Sequence, residues 1–189
     1  LRQGSRQIDV PPVQPLALDE NAAAQRLAAA VRLRTISFDG QSAASAAEFR
    51  KLHALLKKSF PRAHAVLKRE TVNELSLLYT WPGSDPAAKP IMLMAHQDVV
   101  PIAHGTERDW LADPFGGVIR DGFVWGRGAW DDKANLFAIF EAIETLATSG
   151  FRPRQTIYIA SGHDEEIGGE QGGKAIAELL KSRGVQLDF

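Results

Sequence analysis

Short apolar segments alternate with longer amphipathic segments along this chain, and the alternation constrains its fold more than any other feature. Residues 90–95 and 156–160 are apolar almost throughout, which predicts buried strands and, for 90–95, a central strand covered on both faces. Residues 131–149 have the apolar spacing of a helix, and Gly150 follows as a helix-ending residue. The apolar positions in that helix are Leu136, Phe140, Ile143 and Leu146. Strands alternating with helices predict an α/β fold, a mixed sheet with helices on both faces.

Three more segments carry helix signals. Residues 18–33 are rich in alanine, and Asp19 can cap the start of a helix there. Ser45 and Glu48 have the spacing of a capping box, so a second helix is predicted to start at Ser45. Residues 172–183 form the last predicted helix.

Further strands are predicted in the first half of the chain and in a hairpin. Residues 65–72 and 75–81 have mixed patterns that favour strands. Residues 117–126 alternate apolar and polar side chains around Asp121 and Gly122. Because an Asp-Gly pair suits the positive φ angles of a type I′ turn, this stretch is predicted to be a β-hairpin.

The bulk composition excludes several kinds of function. The 189 residues include 22 basic and 23 acidic side chains, for a formal net charge of -1, without a basic stripe. This balance argues against nucleic acid as a partner. No window approaches the ~18 consecutive apolar residues of a membrane-spanning helix. There is no cysteine, so any metal would have to be held by histidine and carboxylate side chains.

The first candidate site segment follows the apolar strand 90–95. His96 and Asp98 are two residues apart and should project to the same side of extended chain, so Asp98 could orient the imidazole of a metal-ligating His96. A histidine at a strand end is more often only hydrogen-bonded. By itself, this pair leaves both interpretations open.

Two acidic segments are the other candidates. Asp131 and Asp132 stand at the predicted start of a helix, where Asp131 could bridge two cations or an acid could simply cap the helix. Glu165 and Glu166 follow the strand 156–160 directly. Glu166 could ligate a metal while Glu165 takes a proton from water, although a solvated acidic loop would have the same composition.

The order and spacing of these segments resemble the M20 family of metallopeptidases. The sequences MAHQDVVP, WGRGAWDDK and GHDEEIGG follow that family's HxD, GxxDxK and EE signatures. The third segment is most similar to the branch that contains carboxypeptidase S and PM20D1, which cleaves C-terminal residues or N-acyl amino acids. The resemblance implies a zinc-exopeptidase-like catalytic domain, of which residues 18–189 would be the N-terminal part.

The resemblance assigns a role to each matched position. It implies that His96 and Glu166 each ligate one of two Zn²⁺ ions, with Co²⁺ or Mn²⁺ as substitutes, and that Asp131 bridges them. Asp98 would orient His96, and Glu165 would be the general base in the hydrolysis of a peptide or an N-acyl amino acid. A strained cis peptide bond between Asp131 and Asp132 is also implied.

Other parts of the family pattern lie outside this sequence. The family has a third carboxylate ligand that should fall just past Phe189, then a lid or dimerisation domain, then a distal histidine ligand. We therefore expect this chain alone to bind metal weakly or not at all and to be inactive, and the complete protein to be an enzyme that could form a homodimer. The proline-rich start predicts an extended spacer over residues 1–17, and together with the branch resemblance it favours an exported or membrane-anchored protein.

Two alternatives to a carboxypeptidase or N-acyl amino acid hydrolase stay open. One is a small-molecule deacylase or an aminopeptidase with the same metal set, and the other is a metal-free relative that acts as a binding module. The remaining histidines are expected to be structural: His53, His64 and His104 on the surface, and His163 in a packing role beside the site.

Overall fold

The computed structural model describes residues 8, 10–15, 17–38 and 43–188, except the side chains of residues 43 and 44. Within them, the helices are α1 (Glu20–Val31), α2 (Ala43–Ser59), α3 (Pro61–Val66), α4 (Lys133–Thr148) and α5 (Gly173–Ser182). The strands are β1 (Lys68–Val72), β2 (Ser76–Trp81), β3 (Ile91–Met94), β4 (Val118–Arg120), β5 (Phe123–Trp125) and β6 (Ile157–Ser161). None of these helices has the length and apolar character needed to cross a bilayer.

Four strands form a mixed sheet in the order β1-β2-β6-β3. β2 pairs antiparallel with both β1 and β6, whereas β3 and β6 run parallel, with Ile91 opposite Ile157 and Met94 opposite Ala160. Because β3 and β6 are parallel, their carboxyl ends lie side by side at the same end of the strands, which we call the carboxyl edge of the sheet. The loops that carry His96 and Glu166 are therefore neighbours.

Helices cover both faces of this sheet, as the alternating pattern predicts. The larger core lies on the face where α1, α2, α3 and α4 pack, and the smaller core joins α5 to the opposite face. Buried members of the larger core include Ala30, Leu52, Leu56, Ala63, Leu77, Tyr79, Leu136, Phe140 and Ile159. The smaller core contains Leu78, Ala160, Ile176 and Leu180. The predicted fold class, a mixed α/β sheet with helices on both faces, is confirmed.

Several local predictions are also confirmed. The Asp19 side chain caps α1 by accepting a hydrogen bond from the N–H of Ala22 at 2.9 Å. Asp121 and Gly122 have φ angles of 55° and 78° between β4 and β5, as a type I′ turn requires. Gly150 ends α4 with a φ of 76°. These features depend on a few adjacent residues, which is why sequence predicts them well.

The predicted central position of the strand 90–95 is wrong for the part of the chain described. β3 is an edge strand of the four-stranded sheet, and the side chain of Met94 is 67% exposed. An apolar segment predicts that its side chains are buried, but it does not predict whether the strand has a neighbouring strand on one side or on both.

Two boundary predictions are wrong as well. α2 begins at Ala43, ahead of Ser45, and Glu48 accepts hydrogen bonds from the Arg34 N–H and the Lys51 ammonium instead of closing a capping box. Residues 65–67 belong to the end of α3 and its cap rather than to a strand. Pro61 at the first turn favours that short helix because its φ is already helical.

Candidate metal centre

The candidate site lies where three chain segments meet at the carboxyl edge of the sheet. His96 stands two residues beyond β3, Asp131 stands two residues before α4, and Glu165 and Glu166 lie in a single 3₁₀ turn that follows β6. Backbone hydrogen bonds extend the β3–β6 pairing past the strands, because the Gln97 N–H donates to the carbonyl of Gly162 at 2.8 Å. Residues far apart in sequence are thereby placed side by side.

The structure brings four of the five candidate side chains into one group. The His96 Nε2 atom is 2.8 Å from Asp131 Oδ1 and 3.7 Å from Glu165 Oε2. One ligand atom each from His96, Asp131 and Glu166 can be chosen so that all three lie within 4.8 Å of one another. The Asp131 side chain is 70% exposed, so solutes can reach the group.

Asp98 is the fifth candidate, and it lies behind His96. Its side chain is fully buried. The His96 Nδ1 atom is 3.0 Å from the Asp98 carbonyl oxygen and 3.2 Å from Asp98 Oδ1. Both of these oxygens are acceptors, so Nδ1 carries a proton and donates to them. The other ring nitrogen, Nε2, faces Asp131. An arrangement of this kind orients ligating histidines in metal sites.

The loop that precedes α4 has unusual backbone geometry. The peptide bond between Asp131 and Asp132 is cis, as the family resemblance implies. Gly126 and Gly128 have φ angles of 146° and 80°, which side-chain-bearing residues rarely adopt. The two adjacent carboxylates have different partners: Asp131 contacts the His96 ring, and Asp132 Oδ2 accepts from the His96 N–H at 3.0 Å.

Lys133 anchors this loop from the protein interior. The side chain is fully buried, and its Nζ donates to the carbonyls of Ala30 at 3.0 Å and Leu33 at 2.6 Å, at the end of α1. Burial lowers the pKa of Lys133 to about 7, against the opposing charges of Glu48 and Asp98. The lysine therefore joins the carboxyl end of α1, whose carbonyls favour a donor, to the start of α4.

The charges of the group are unbalanced without a cation. Burial by itself would lower the pKa of His96, but hydrogen bonds to Asp98 and Asp131 outweigh it and raise the pKa to about 9. The pKa of Glu166 is raised by burial and by the charges of Asp131, Asp98 and Glu165, against the opposing effect of His96. Burial opposes ionisation of Asp98 too, yet hydrogen bonds from His96 and Ser37 keep its pKa below the usual value.

These observations fit a divalent metal. The donor set consists of one imidazole nitrogen and carboxylate oxygens, which suits Zn²⁺ and related ions. Burial and the neighbouring carboxylates raise the pKa of Glu166, and a cation would offset the repulsion between the carboxylates. Asp188, the carboxylate nearest in sequence to the expected position of the family's third acidic ligand, is not in the group, and its carboxylate accepts from Gln155 Nε2 at 3.3 Å.

One buried polar residue beside the site was not predicted from sequence, and two histidines predicted to lie on the surface do not. Gln97, which separates His96 from Asp98, is fully buried. His53 is buried rather than on the surface, and its Nε2 is 2.7 Å from Gln97 Oε1. His64 is half-buried and bonds to the carbonyl of Phe60 through Nδ1. The alternation of side chains in extended chain could have placed Gln97 opposite His96, facing the core.

The other two histidines match their predictions. His163 is buried, with Nδ1 2.6 Å from Ser76 Oγ and its ring edge-on to Phe49. It packs beside the site without joining the ligand group. His104 is exposed.

One histidine and several carboxylates thus converge beyond the carboxyl ends of strands in a mixed α/β sheet, which is the arrangement of a metal-binding α/β domain. Comparison with known proteins gives the particular family. The model of peptidase family M20/M25/M40 matches residues 92–189, and the chain belongs to this family. Membership implies a metal at the site.

Curated relatives place the chain in the branch indicated by its sequence. It is 46% identical over 170 residues to carboxypeptidase S of Saccharomyces cerevisiae, covering 86% of this chain and 30% of that protein. It is 40% identical over 167 residues to the mouse N-fatty-acyl-amino acid synthase/hydrolase PM20D1, covering 87% of this chain and 32% of that protein. The chain thus spans about a third of the length of these relatives.

Solved structures share the fold. Human carnosine dipeptidase 1 matches with a TM-score of 0.66 and 22% identity, over 88% of this chain and 37% of that one. An M20 family metallo-carboxypeptidase from Sulfolobus solfataricus matches with a TM-score of 0.67 and 19% identity, over 91% of this chain and 36% of that one. At this identity the likeness supports the architecture alone.

Proposed function

We propose that this chain is part of a dizinc hydrolase that cleaves an amide or peptide bond, as a carboxypeptidase or an N-acyl amino acid hydrolase. The observation that carries the proposal is the convergence of His96, Asp131 and Glu166 ligand atoms within 4.8 Å, with the Glu165 carboxylate alongside. The names of the relatives, carboxypeptidase S and N-fatty-acyl-amino acid synthase/hydrolase, support this substrate class.

Each residue of the group has a distinct role in this proposal. His96 and Glu166 would each hold one metal ion, and Asp131 would bridge the two, since it lies beside His96 and is open to solvent. Asp98 is a positioning residue that keeps the His96 ring turned outward. Two bound Zn²⁺ ions would supply positive charge that acidifies a water molecule and polarises the substrate carbonyl.

Glu165 is the general base of the reaction. Its side chain is 61% exposed, so it is free to face a substrate instead of being tied into the fold. The carboxylate accepts a proton from water as the water oxygen bonds to the carbonyl carbon. The same proton then passes to the departing nitrogen as the carbon–nitrogen bond breaks, which leaves a carboxylic acid and an amine.

The ligand count implies that further residues complete the site. If Asp131 is shared between two cations, each cation would have two protein ligands in this chain, fewer than the three of catalytic zinc sites. We therefore propose that a longer polypeptide supplies the remaining ligands and a lid or dimerisation domain, and that the 189-residue chain alone binds metal weakly or not at all and is inactive. In the proposed spacer, residues 8, 10–15 and 17 are exposed and lie outside helices and strands.

The proposal is tested by measuring metal content and hydrolysis side by side. The 189-residue chain and a polypeptide extended to the full length of its gene would be loaded with Zn²⁺ and assayed on N-acyl amino acids and C-terminally free dipeptides. We expect chelator-sensitive hydrolysis by the extended protein only. Hydrolysis that survives complete metal removal would refute a metallohydrolase, and full turnover by the short chain would refute the need for further ligands.

A further inference from the structure

Both N–H donors and the oxygen of the Gln97 carboxamide are hydrogen-bonded. Its Nε2 donates to the carbonyls of Leu75 at 3.0 Å and Ser161 at 2.8 Å. Its Oε1 accepts from His53 Nε2 at 2.7 Å. A fully buried amide held by three hydrogen bonds is a rigid connection, because each broken bond would leave a buried donor or acceptor unsatisfied.

These partners belong to different parts of the fold. Ser161 ends β6 and lies four residues before Glu165, Leu75 immediately precedes β2, and His53 lies in the middle of α2. The backbone of Gln97 adds two more bonds, since its N–H donates to Gly162 and its carbonyl accepts from Thr35 Oγ1 at 2.7 Å. One residue thus joins the loop after β3 to the loop after β6.

The orientation of the amide is determined by its surroundings. Two carbonyl oxygens face Nε2, so the amide nitrogen must point toward them and Oε1 must point toward His53. His53 must then present an N–H at Nε2, which leaves Nδ1 as an acceptor, and the Arg69 guanidinium lies 3.3 Å from that atom. The histidine is the only donor to Oε1 among the described residues.

We propose that Gln97 and His53 are positioning residues that set the spacing between His96 and the Glu165–Glu166 turn. His96 adjoins Gln97, and the turn continues from Ser161, so the Gln97 amide is a short link between the two ligand-bearing loops. This inference rests on the proposed function for its effect on metal binding. Its effect on loop geometry is independent of any metal.

Amide hydrogen exchange in the metal-free protein tests the geometric part. The N–H groups of Glu165 and Glu166 donate to Asp98 across the two loops, so they report the loop spacing. In Gln97→Met and His53→Phe, we expect these two amides to exchange at least about tenfold faster relative to core amides. In His53→Gln, which restores a donor to Oε1, exchange should return toward the original rate.

His64→Gln is the matched control, because His64 is also hydrogen-bonded and partly buried but contacts Phe60 and Tyr79 instead of the site loops. It should leave the relative exchange of Glu165 and Glu166 unchanged. If Gln97→Met and His53→Phe accelerate all amides in the same proportion, the pair only stabilises the fold and the proposal is wrong.

Zinc affinity of the extended polypeptide is the second measurement. We expect Gln97→Met and His53→Phe to bind Zn²⁺ roughly 10- to 100-fold more weakly, as for other residues that support metal ligands, with recovery in His53→Gln and no change in His64→Gln. Unchanged affinity in Gln97→Met would overturn the proposal. If the unaltered extended polypeptide binds no Zn²⁺ at all, the proposed function fails, and the exchange comparison still decides whether the pair positions the loops.

Discussion

The buried Asp98 carboxylate accepts a hydrogen bond from the backbone N–H of Glu166 at 3.0 Å, across 68 residues of sequence. It also accepts from the Glu165 N–H at 3.2 Å and from Ser37 Oγ at 2.6 Å. The same side chain contacts the His96 ring. Asp98 therefore does more than orient one histidine, because it fixes the opposite acidic turn as well.

The first prediction concerns Asp98→Asn. Asparagine has a single acceptor oxygen, so its NH₂ group would face one of the donors that the carboxylate satisfies. We expect Zn²⁺ affinity to fall by roughly 10- to 100-fold and the free energy of unfolding to fall by about 1–3 kcal/mol. Calorimetric zinc titration and urea unfolding measure the two effects.

Asp85→Asn is the matched control for that substitution. Asp85 also accepts a hydrogen bond from a backbone N–H, that of Ala87. It lies beside Arg154, before the amino ends of β3 and β6 and away from the candidate site. Its replacement should leave zinc affinity unchanged. A similar loss of affinity in both variants would contradict the role given to Asp98.

The second prediction separates the adjacent glutamates. Glu166→Gln should lower metal content because it removes a ligand charge, whereas Glu165→Gln should keep the metal and lower hydrolysis by roughly 10²- to 10⁴-fold because it removes the base. Metal analysis and initial rates on the active, extended polypeptide distinguish the two. Equal metal loss in both variants would show that Glu165 is also a ligand.

The third prediction concerns two glycines with positive φ. Gly117 and Gly105 have φ angles of 54° and 89°, so alanine at either position costs roughly 1–2 kcal/mol of backbone strain. A Cβ at Gly117 would also overlap the carbonyl oxygen of Ala28, whereas one at Gly105 meets nothing within 4 Å. Gly117→Ala should therefore lower the free energy of unfolding by about 1–3 kcal/mol more than Gly105→Ala. Equal losses would mean that α1 shifts freely.

The fourth prediction concerns pH and His64. Burial lowers the pKa of His64 below 6.5, with Arg69 adding to the effect while a bond to Phe60 and the charge of Glu144 oppose it. The unfolded chain then binds this proton more tightly, so the free energy of unfolding falls as pH drops below about 6.5 and is restored above it.

His64→Gln tests this prediction because it removes the titrating ring and keeps an amide donor. Urea unfolding at pH 7.5 and pH 5.5 should show a smaller difference in stability for the variant than for the unaltered protein. If the difference stays the same, His64 does not contribute to the acid sensitivity.

The sequence predicted structure best where adjacent residues determine the local backbone conformation. The hairpin at Asp121 and the cap at Asp19 follow from local backbone preferences, and both are present. The capping box expected at Ser45 failed because Glu48 has partners in another segment, Arg34 among them. Local signals predict structure only where no distant partner competes.

By itself, the sequence determined the chemical types at the candidate site, the family, and the order of strands and helices except for α3, which it did not predict. Tertiary structure decided the distances, because His96 and Asp131 are 35 residues apart and meet only through strand pairing and the loop before α4. It also decided that β3 lies at a sheet edge and that His53 is buried against Gln97. Side-chain chemistry and local backbone preference are properties of neighbouring residues, whereas proximity between distant residues depends on which strands pair and which faces pack.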